Sequence, residues 1–404
     1  MLENPCYEQA RELLLSAVSA VDTEHIPLSE CAGRILAWDL LAKENVPAFD
    51  RSPYDGYAVR SADTAKASQE QPVTLQILEE IPAGAVPTKK LVPGTATKVL
   101  TGAPIPEGAD AVIMFEKTAF TRETVTLFVP VKAGSNIVTI GEDIKKGAVI
   151  ARKGTVIAPG LAGSLAAQGE AVPLVYKKPR IALISTGSEL VEADTPVEAG
   201  KIRNSNRYML EAALMQLGFE PVYLGIVGDS VEDISETLKV GLAQCDGVIT
   251  TGGVSVGDYD LTPAAMEAIG VQMLIQGVDM KPGMACAYGI KDGKLLCALS
   301  GNPASALTNF YAVALPSLMK LAGRNAYMPQ EIQVRLSENF SKRSPTARFL
   351  RGKMEVKDGA VYIALPHSQG NAVLSSAVEW NIMAVVPAGS GALEAGTVLK
   401  GYLL

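Results

Sequence analysis

Apolar positions change their period along the chain, and each change marks a different kind of structure. Ala10, Leu13, Leu14, Ala17, Val18 and Val21 recur at helical spacing and predict an amphipathic helix over residues 7–21. The segment KENVPAFDRSPYDGYAVR is dense in turn residues. Between about Val73 and Val131 the apolar runs are short: VTLQIL, TKVLTG, AVIMFE and TVTLFVPV, punctuated by Pro82, Pro87, Pro93, Pro104 and Pro106. They predict a small β-rich unit. Connecting strands and turns (GEDIKKGAVIARKGTVIAPG) and a short helix (LAGSLAAQG) follow.

At Arg180 strand and helix patterns begin to alternate. RIALISTGSEL reads as a buried strand ending in a glycine turn. Residues 205–217 read as a helix capped by Ser205 and stopped by Gly218. PVYLGIVGD is a strand, 231–243 a helix, DGVITTGG a strand and LTPAAMEAIG a helix. Strands near Met273, Ala285 and Leu295 precede a helix over 304–321. The alternation predicts a doubly wound αβα sheet, which binds ligands at the carboxyl ends of its strands. STGSE, VGDS, TTGG and LSGNP all fall at such ends. After Pro329 the texture is β again, with Asp358-Gly359 as a hairpin turn. The fold class is therefore mixed α/β and β, and multidomain.

Composition narrows the functions. With 404 residues, 48% of them hydrophobic, the chain is long enough for several cores. A net charge of −7 argues against broad nucleic-acid binding. Five scattered cysteines without a Cys-x-x-Cys fit reduced thiols in a cytoplasmic protein. Two histidines, His25 and His367, make a His-based zinc site an unfavoured reading. The N-terminal helix carries acids within its apolar run, unlike a signal peptide, and no stretch is long and apolar enough to span a membrane.

The most informative stretch is DGVITTGGVSVGDYD, residues 246–260. Its glycines let backbone N–H groups approach an anion, and Asp258 and Asp260 follow directly. A phosphate beside carboxylates needs a divalent cation between them, so the loop reads as a metal-bridged phosphate site. A tight strand-to-helix turn with solvated acids is the alternative. Asp55 in SPYDGYAVR is an acid before glycine, ordinary in a turn but also a candidate for chemistry.

In this order, SPYDGYAVR, LTGAPIPEGADAVI, GEDIKKG, STGSEL, Gly228-Asp229, TTGGVSVGDYD, MKPG and GNPAS resemble the molybdopterin molybdenumtransferase family, the MoeA-type molybdenum insertases to which the gephyrin E domain belongs. The resemblance spans nearly the whole chain. It implies an αβα molybdopterin-binding domain (179–327), a β-rich domain carrying DGYAVR and TGAPIPEG (45–139), an elongated N-terminal and linking domain (1–44 with 140–178) and a barrel-like C-terminal β domain (328–404). The implied reaction inserts molybdate into adenylylated molybdopterin, with Mg2+-dependent pyrophosphate cleavage and release of AMP. The implied assembly is a homodimer whose sites are shared between subunits. A molybdopterin adenylyltransferase and molybdoenzyme apo-proteins are the implied protein partners; nucleic acid and membrane are not.

Site residues follow by position. Asp55, Thr101, Asp143, Glu189, Asp229 and Asp260 are the implied chemical residues, with Asp55 and Thr101 arriving from the partner subunit. Glu189, Asp229, Asp258 and Asp260 are the implied cation ligands; since Mg2+ takes one or two protein carboxylates, one of these acids would instead orient water or a molybdate oxygen. Thr251, Gly252, Gly253, Ser255, Lys281, Ser300, Gly301, Asn302, Pro303, Ser305, Arg348, Arg351 and Ser375 are the implied contacts to the pterin nucleotide or oxyanion. The chain departs from the family pattern at Val138, Ser188 and Met284, where the family often has arginine, aspartate and lysine. A CinA-like pyrophosphate hydrolase, a pterin carrier and a tungstate-using paralogue are the alternatives.

Overall fold

The computed structural model describes residues 1–254 and 261–404. Its contacts divide the chain into two compact units, one of residues 1–38, 153–159 and 172–404, the other of 39–152 and 160–171.

The second unit is built on a six-stranded sheet in the order Ala111–Met114, Gly56–Val59, Thr95–Val99, Val73–Ile81, Thr124–Leu127, Thr118–Phe120. Tyr57, Val59, Leu75, Ala96, Ile113, Val125 and Leu127 form its core. Gly56–Val59, embedded in what reads as turn sequence, is an interior strand with all four residues buried. A Cβ on Gly56 would lie 2.1 Å from the Ile113 carbonyl oxygen, so only glycine lets the neighbouring strand close in there.

The first unit holds a seven-stranded sheet in the order Leu2–Glu3, Gln272–Gln276, Cys286–Lys291, Lys294–Leu299, Gly247–Thr251, Arg180–Thr186, Glu220–Val227. The last four strands run parallel, whereas Cys286–Lys291 is antiparallel to both its neighbours. The sheet is thus mixed at one side rather than wholly parallel. Alternation along the strands sorts side chains to two cores. Ile181, Leu183 and Ile249 pack with Leu14, Leu210, Leu214, Phe310 and Leu318. Ala182, Ile184 and Val248 pack with Ile234, Leu238, Ala265 and Met266. Both faces are covered by helices, as the alternating pattern predicts.

Several local expectations change. The first helix is Tyr7–Ala17, shorter than its apolar spacing suggests. The cap of the Ser205–Gln216 helix is Asn204, whose side chain accepts from the Arg207 amide, not Ser205. The helix expected over 304–321 contains a π turn, Phe310–Ala314, between Pro303–Asn309 and Leu315–Leu321. Arg11, buried in the first helix, donates through Nε to the Ala312 carbonyl inside that turn.

In the C-terminal region Ala347–Lys357, Ala360–Ala364, Glu331–Leu336, Val398–Leu403 and Ile382–Val386 pair in sequence, and Ile382–Val386 pairs back onto Ala347–Lys357. This closes a five-stranded barrel around Val334, Leu336, Phe340, Leu350, Ile363 and Ile382. Met280–Lys281 adds a short parallel strand to Ala347–Lys357. No described helix is long and apolar enough to cross a membrane.

Candidate active site

Three strand ends of the first unit build one rim. Arg180–Thr186 runs into Gly187, where a Cβ would sit 2.5 Å from Glu189 Oε2, so the missing side chain leaves room for that carboxylate. The Ser188 amide donates to Asp229 Oδ2 at 2.9 Å. Glu189 and Asp229 are therefore exposed acids gathered at a single turn. Next door, Gly247–Thr251 ends in Gly252 (φ +99) and Gly253 (φ +62). A Cβ on Gly252 would lie 2.3 Å from the Thr186 carbonyl, which ties this loop against the first. Ser255, Asp258 and Asp260 lie outside the described residues.

Lys294–Leu299 ends in Ser300-Gly301-Asn302-Pro303. Gly301 faces Gly252, its virtual Cβ 3.6 Å from the Gly252 Cα. Asn206 donates to the Gly301 carbonyl at 2.8 Å, while its own buried Oδ1 has no partner among the described residues. Ser300 and Ser305 are buried. The Ala304 amide, at the start of the Pro303–Asn309 helix, is taken by the Asn371 carbonyl at 3.1 Å. That bond brings the 369–371 segment to the rim.

Cationic residues follow on the paired strands Met280–Lys281 and Ala347–Lys357. Lys281, exposed, is the register partner of Arg348. Arg348 is committed to its own loop: Nε donates to Ser344 Oγ at 3.0 Å, and the guanidinium covers Phe340. Arg351 differs by strand parity. Ala347 and Phe349 face the helical core while Leu350 faces the barrel interior, so Arg351 points with the former. It is fully buried, and Nη2 donates to the Gly370 carbonyl at 3.2 Å. Nε and Nη1 have no partner among the described residues. Burial pushes its pKa down to about 10. Gln369 grips the Arg351 backbone, accepting from its amide at 3.2 Å and donating to its carbonyl at 2.7 Å. Ser375, exposed, lies on the Leu374–Ala377 turn, which packs on both the Arg351 strand and the Pro303–Asn309 helix.

The second unit carries the other acids. The amide and hydroxyl of Thr101 donate to Asp55 Oδ1 at 2.7 and 2.8 Å. These bonds hold the Asp55 carboxyl below its ordinary range. Ser52 and the 102–103 segment exchange backbone bonds of 2.9 and 2.8 Å, fixing SPYDG against LTGAP. Asp143, exposed, donates its amide to the Val46 carbonyl at 3.0 Å and lines a cavity of 420 Å³ with Gly141, Glu142, Ile144 and Lys145.

Asn206 and Gln369 are residues near the rim that sequence reasoning missed. The asparagines on either side of Ser205 were the one available signal, since such residues at a helix start seek partners beyond the helix.

Comparison with known proteins fits this anatomy. Three family profiles match in order: the MoeA N-terminal region (domain I and II) over residues 6–169, a probable molybdopterin binding domain over 182–320, and the MoeA C-terminal region (domain IV) over 333–404. A molybdopterin molybdenumtransferase of Bacillus subtilis is 38% identical over 387 residues, spanning 95% of this chain and 90% of that protein. One of Staphylococcus epidermidis is 39% identical over 380 residues, spanning 94% and 90%. The crystal structure of the molybdopterin biosynthesis moeA protein of Pyrococcus horikoshii superposes with a TM-score of 0.85 at 32% identity, covering 99% of this chain and 100% of that one. Sequence order, barrel closure and whole-chain similarity agree: the chain belongs to the molybdopterin molybdenumtransferase family.

Proposed function

We propose that this enzyme of molybdenum cofactor biosynthesis captures molybdate at the corner formed by Lys281, Arg351, Ser375 and the 300–305 segment, and inserts it into adenylylated molybdopterin held along the strand ends. The observation that carries this reading is Arg351: a buried guanidinium with two nitrogens that have no partner among the described residues calls for an anion. Guanidinium donors suit a tetrahedral oxyanion, and Lys281 adds a mobile point charge. The Gly252–Gly301 approach leaves backbone at the rim for the nucleotide phosphates.

The donor set fits Mg2+. Glu189 and Asp229 meet at one turn, and Asp229 retains an oxygen not used by Ser188. Bound there, the ion would neutralise the pyrophosphate and polarise the bond to be cleaved. Asp55 is a weak base because Thr101 stabilises its ionised form, which suits orienting a water or a molybdate oxygen rather than removing a proton. A homodimer in which Asp55 and Thr101 serve the partner's rim, a cytoplasmic setting, the four-domain division and hand-over from an adenylyltransferase to molybdoenzyme apo-proteins complete the proposal.

The test is AMP release from adenylylated molybdopterin by purified protein with Mg2+, with and without molybdate. Molybdate-stimulated AMP release is expected. Tight pterin binding without AMP would replace the enzyme by a carrier, and AMP release from ADP-ribose would replace it by a general pyrophosphate hydrolase.

A further inference from the structure

We propose that Asn309 is a positioning residue for oxyanion capture, acting through the Lys281–Gly283 turn to set where the Lys281 ammonium stands. The inference rests on the oxyanion corner proposed above. Asn309 is buried at the end of the Pro303–Asn309 helix. Its Nδ2 donates to the Gly283 carbonyl at 2.7 Å, with Met280 Sδ 3.8 Å away. Its Oδ1 accepts from the hydroxyl of Tyr288, a fully buried side chain on the neighbouring sheet strand. One amide therefore has both ends fixed, and the turn bearing Lys281 hangs from one of them.

The turn also lies flat on the helix. Gly283 (φ +105) would place a Cβ 3.1 Å from Asn309 Cβ and 3.3 Å from the Ser305 carbonyl. Ser305 is itself part of the proposed corner, so Asn309 fixes the distance between two of its walls. Lysine has a long flexible stem, and its charge is localised only as well as its backbone root. Loosening that root spreads the ammonium over several ångströms and weakens anion capture without touching the pterin nucleotide. The Met280–Lys281 strand pairs with Ala347–Lys357 on its other side, and among the described residues Asn309 supplies the side-chain bond from the helix to this turn.

The experiment measures the molybdate dependence of AMP release in Asn309→Ala, Tyr288→Phe, Lys281→Ala and the double variant Asn309→Ala/Lys281→Ala. Asn309→Ala is expected to raise the half-saturating molybdate concentration about tenfold, with turnover at saturating molybdate and the KM for pterin nucleotide within about twofold. Tyr288→Phe removes one anchor and leaves Asn309 in place; it should shift the same parameter about threefold and supplies the test if the alanine variant does not fold. In the Lys281→Ala background the Asn309→Ala shift should shrink below about twofold, because two residues acting through one charge are not additive. An equal shift in both backgrounds, or unchanged molybdate dependence in Asn309→Ala and Tyr288→Phe, overturns the inference. If Lys281→Ala alone leaves molybdate dependence intact, the oxyanion corner itself is wrong and this inference falls with it.

Discussion

Replacing Arg351 by methionine separates a ligand-binding cation from a structural one. The side chain is fully buried and its lone hydrogen bond among the described residues is the 3.2 Å contact from Nη2 to the Gly370 carbonyl. Burial lowers its pKa from the ordinary guanidinium range to about 10. At 1.36 kcal/mol per unit, that drop is a cost of about 3 kcal/mol for holding the charge in the fold. A cation whose folded pKa lies below its unfolded value destabilises the fold at all pH below the folded value; the cost lifts only as pH rises above about 10 toward the ordinary guanidinium range. At neutral pH it is fully present. Methionine keeps the length and apolar contact, removes the charge and loses about 1 kcal/mol of hydrogen bonding. The net gain is about 2 kcal/mol, or about 4–8 °C in the melting of a unit of this size.

Ligand response should move the other way. Wild-type protein gains about 2.7 kcal/mol at molybdate a hundredfold above its Kd. The Arg351→Met protein should gain almost nothing. Differential scanning calorimetry with and without molybdate reads both effects. A variant that melts lower than wild type without anion, and still rises with molybdate, would refute the reasoning and make Arg351 a structural residue.

Thr101→Val removes the hydroxyl bond but keeps the amide bond to Asp55, so it should raise the Asp55 pKa part of the way toward the ordinary carboxylate range, read by NMR titration; since a lowered carboxyl contributes stability above its unfolded pKa and loses it as pH falls through the folded one, the variant should also be less acid-sensitive, and an unchanged titration would exclude the hydroxyl as a contributor and leave the amide. Gly252→Ala forces a Cβ to 2.3 Å from the Thr186 carbonyl at φ +99 and should cost about 3 kcal/mol or more in urea unfolding; equal stability would mean the two loops do not approach. Mixing inactive Asp55→Ala and Asp260→Ala proteins should restore about a quarter of wild-type turnover, because half the re-formed dimers are mixed and each has one intact site. Subunits that exchange and stay inert would disprove sites shared across a dimer.

What the sequence made legible is local. Motifs at strand ends stood out because glycine interrupts apolar runs at 186–189, 227–229, 251–253 and 299–303, with an acid in the first two, and a doubly wound sheet puts those interruptions on one rim. What it hid is tertiary. Asn206 meets Gly301 across 95 positions, Asn309 meets Gly283 across 26, and Gln369 holds Arg351 across 18. No periodicity encodes such pairs. Gly56–Val59 was masked by its turn-rich flanks, although its close approach to Ile113 is the reason for the glycine.

Two departures from the family pattern become intelligible on the same terms. At Ser188 it is the backbone amide that holds Asp229, so a serine where the sequence reading expects aspartate leaves that carboxylate in place. Met284 is half-exposed and stands where the sequence reading expects lysine, so the turn beside Lys281 carries no second charge. A solvated lysine there would have been screened by water. Arg351 stands in a desolvated position, where each unit of charge acts through a far lower dielectric. The proposed oxyanion corner thus rests on one buried guanidinium and one lysine rooted by Asn309. For that reason both the strand parity that buries Arg351 and the amide that roots Lys281 should weigh on anion affinity more than any surface charge nearby.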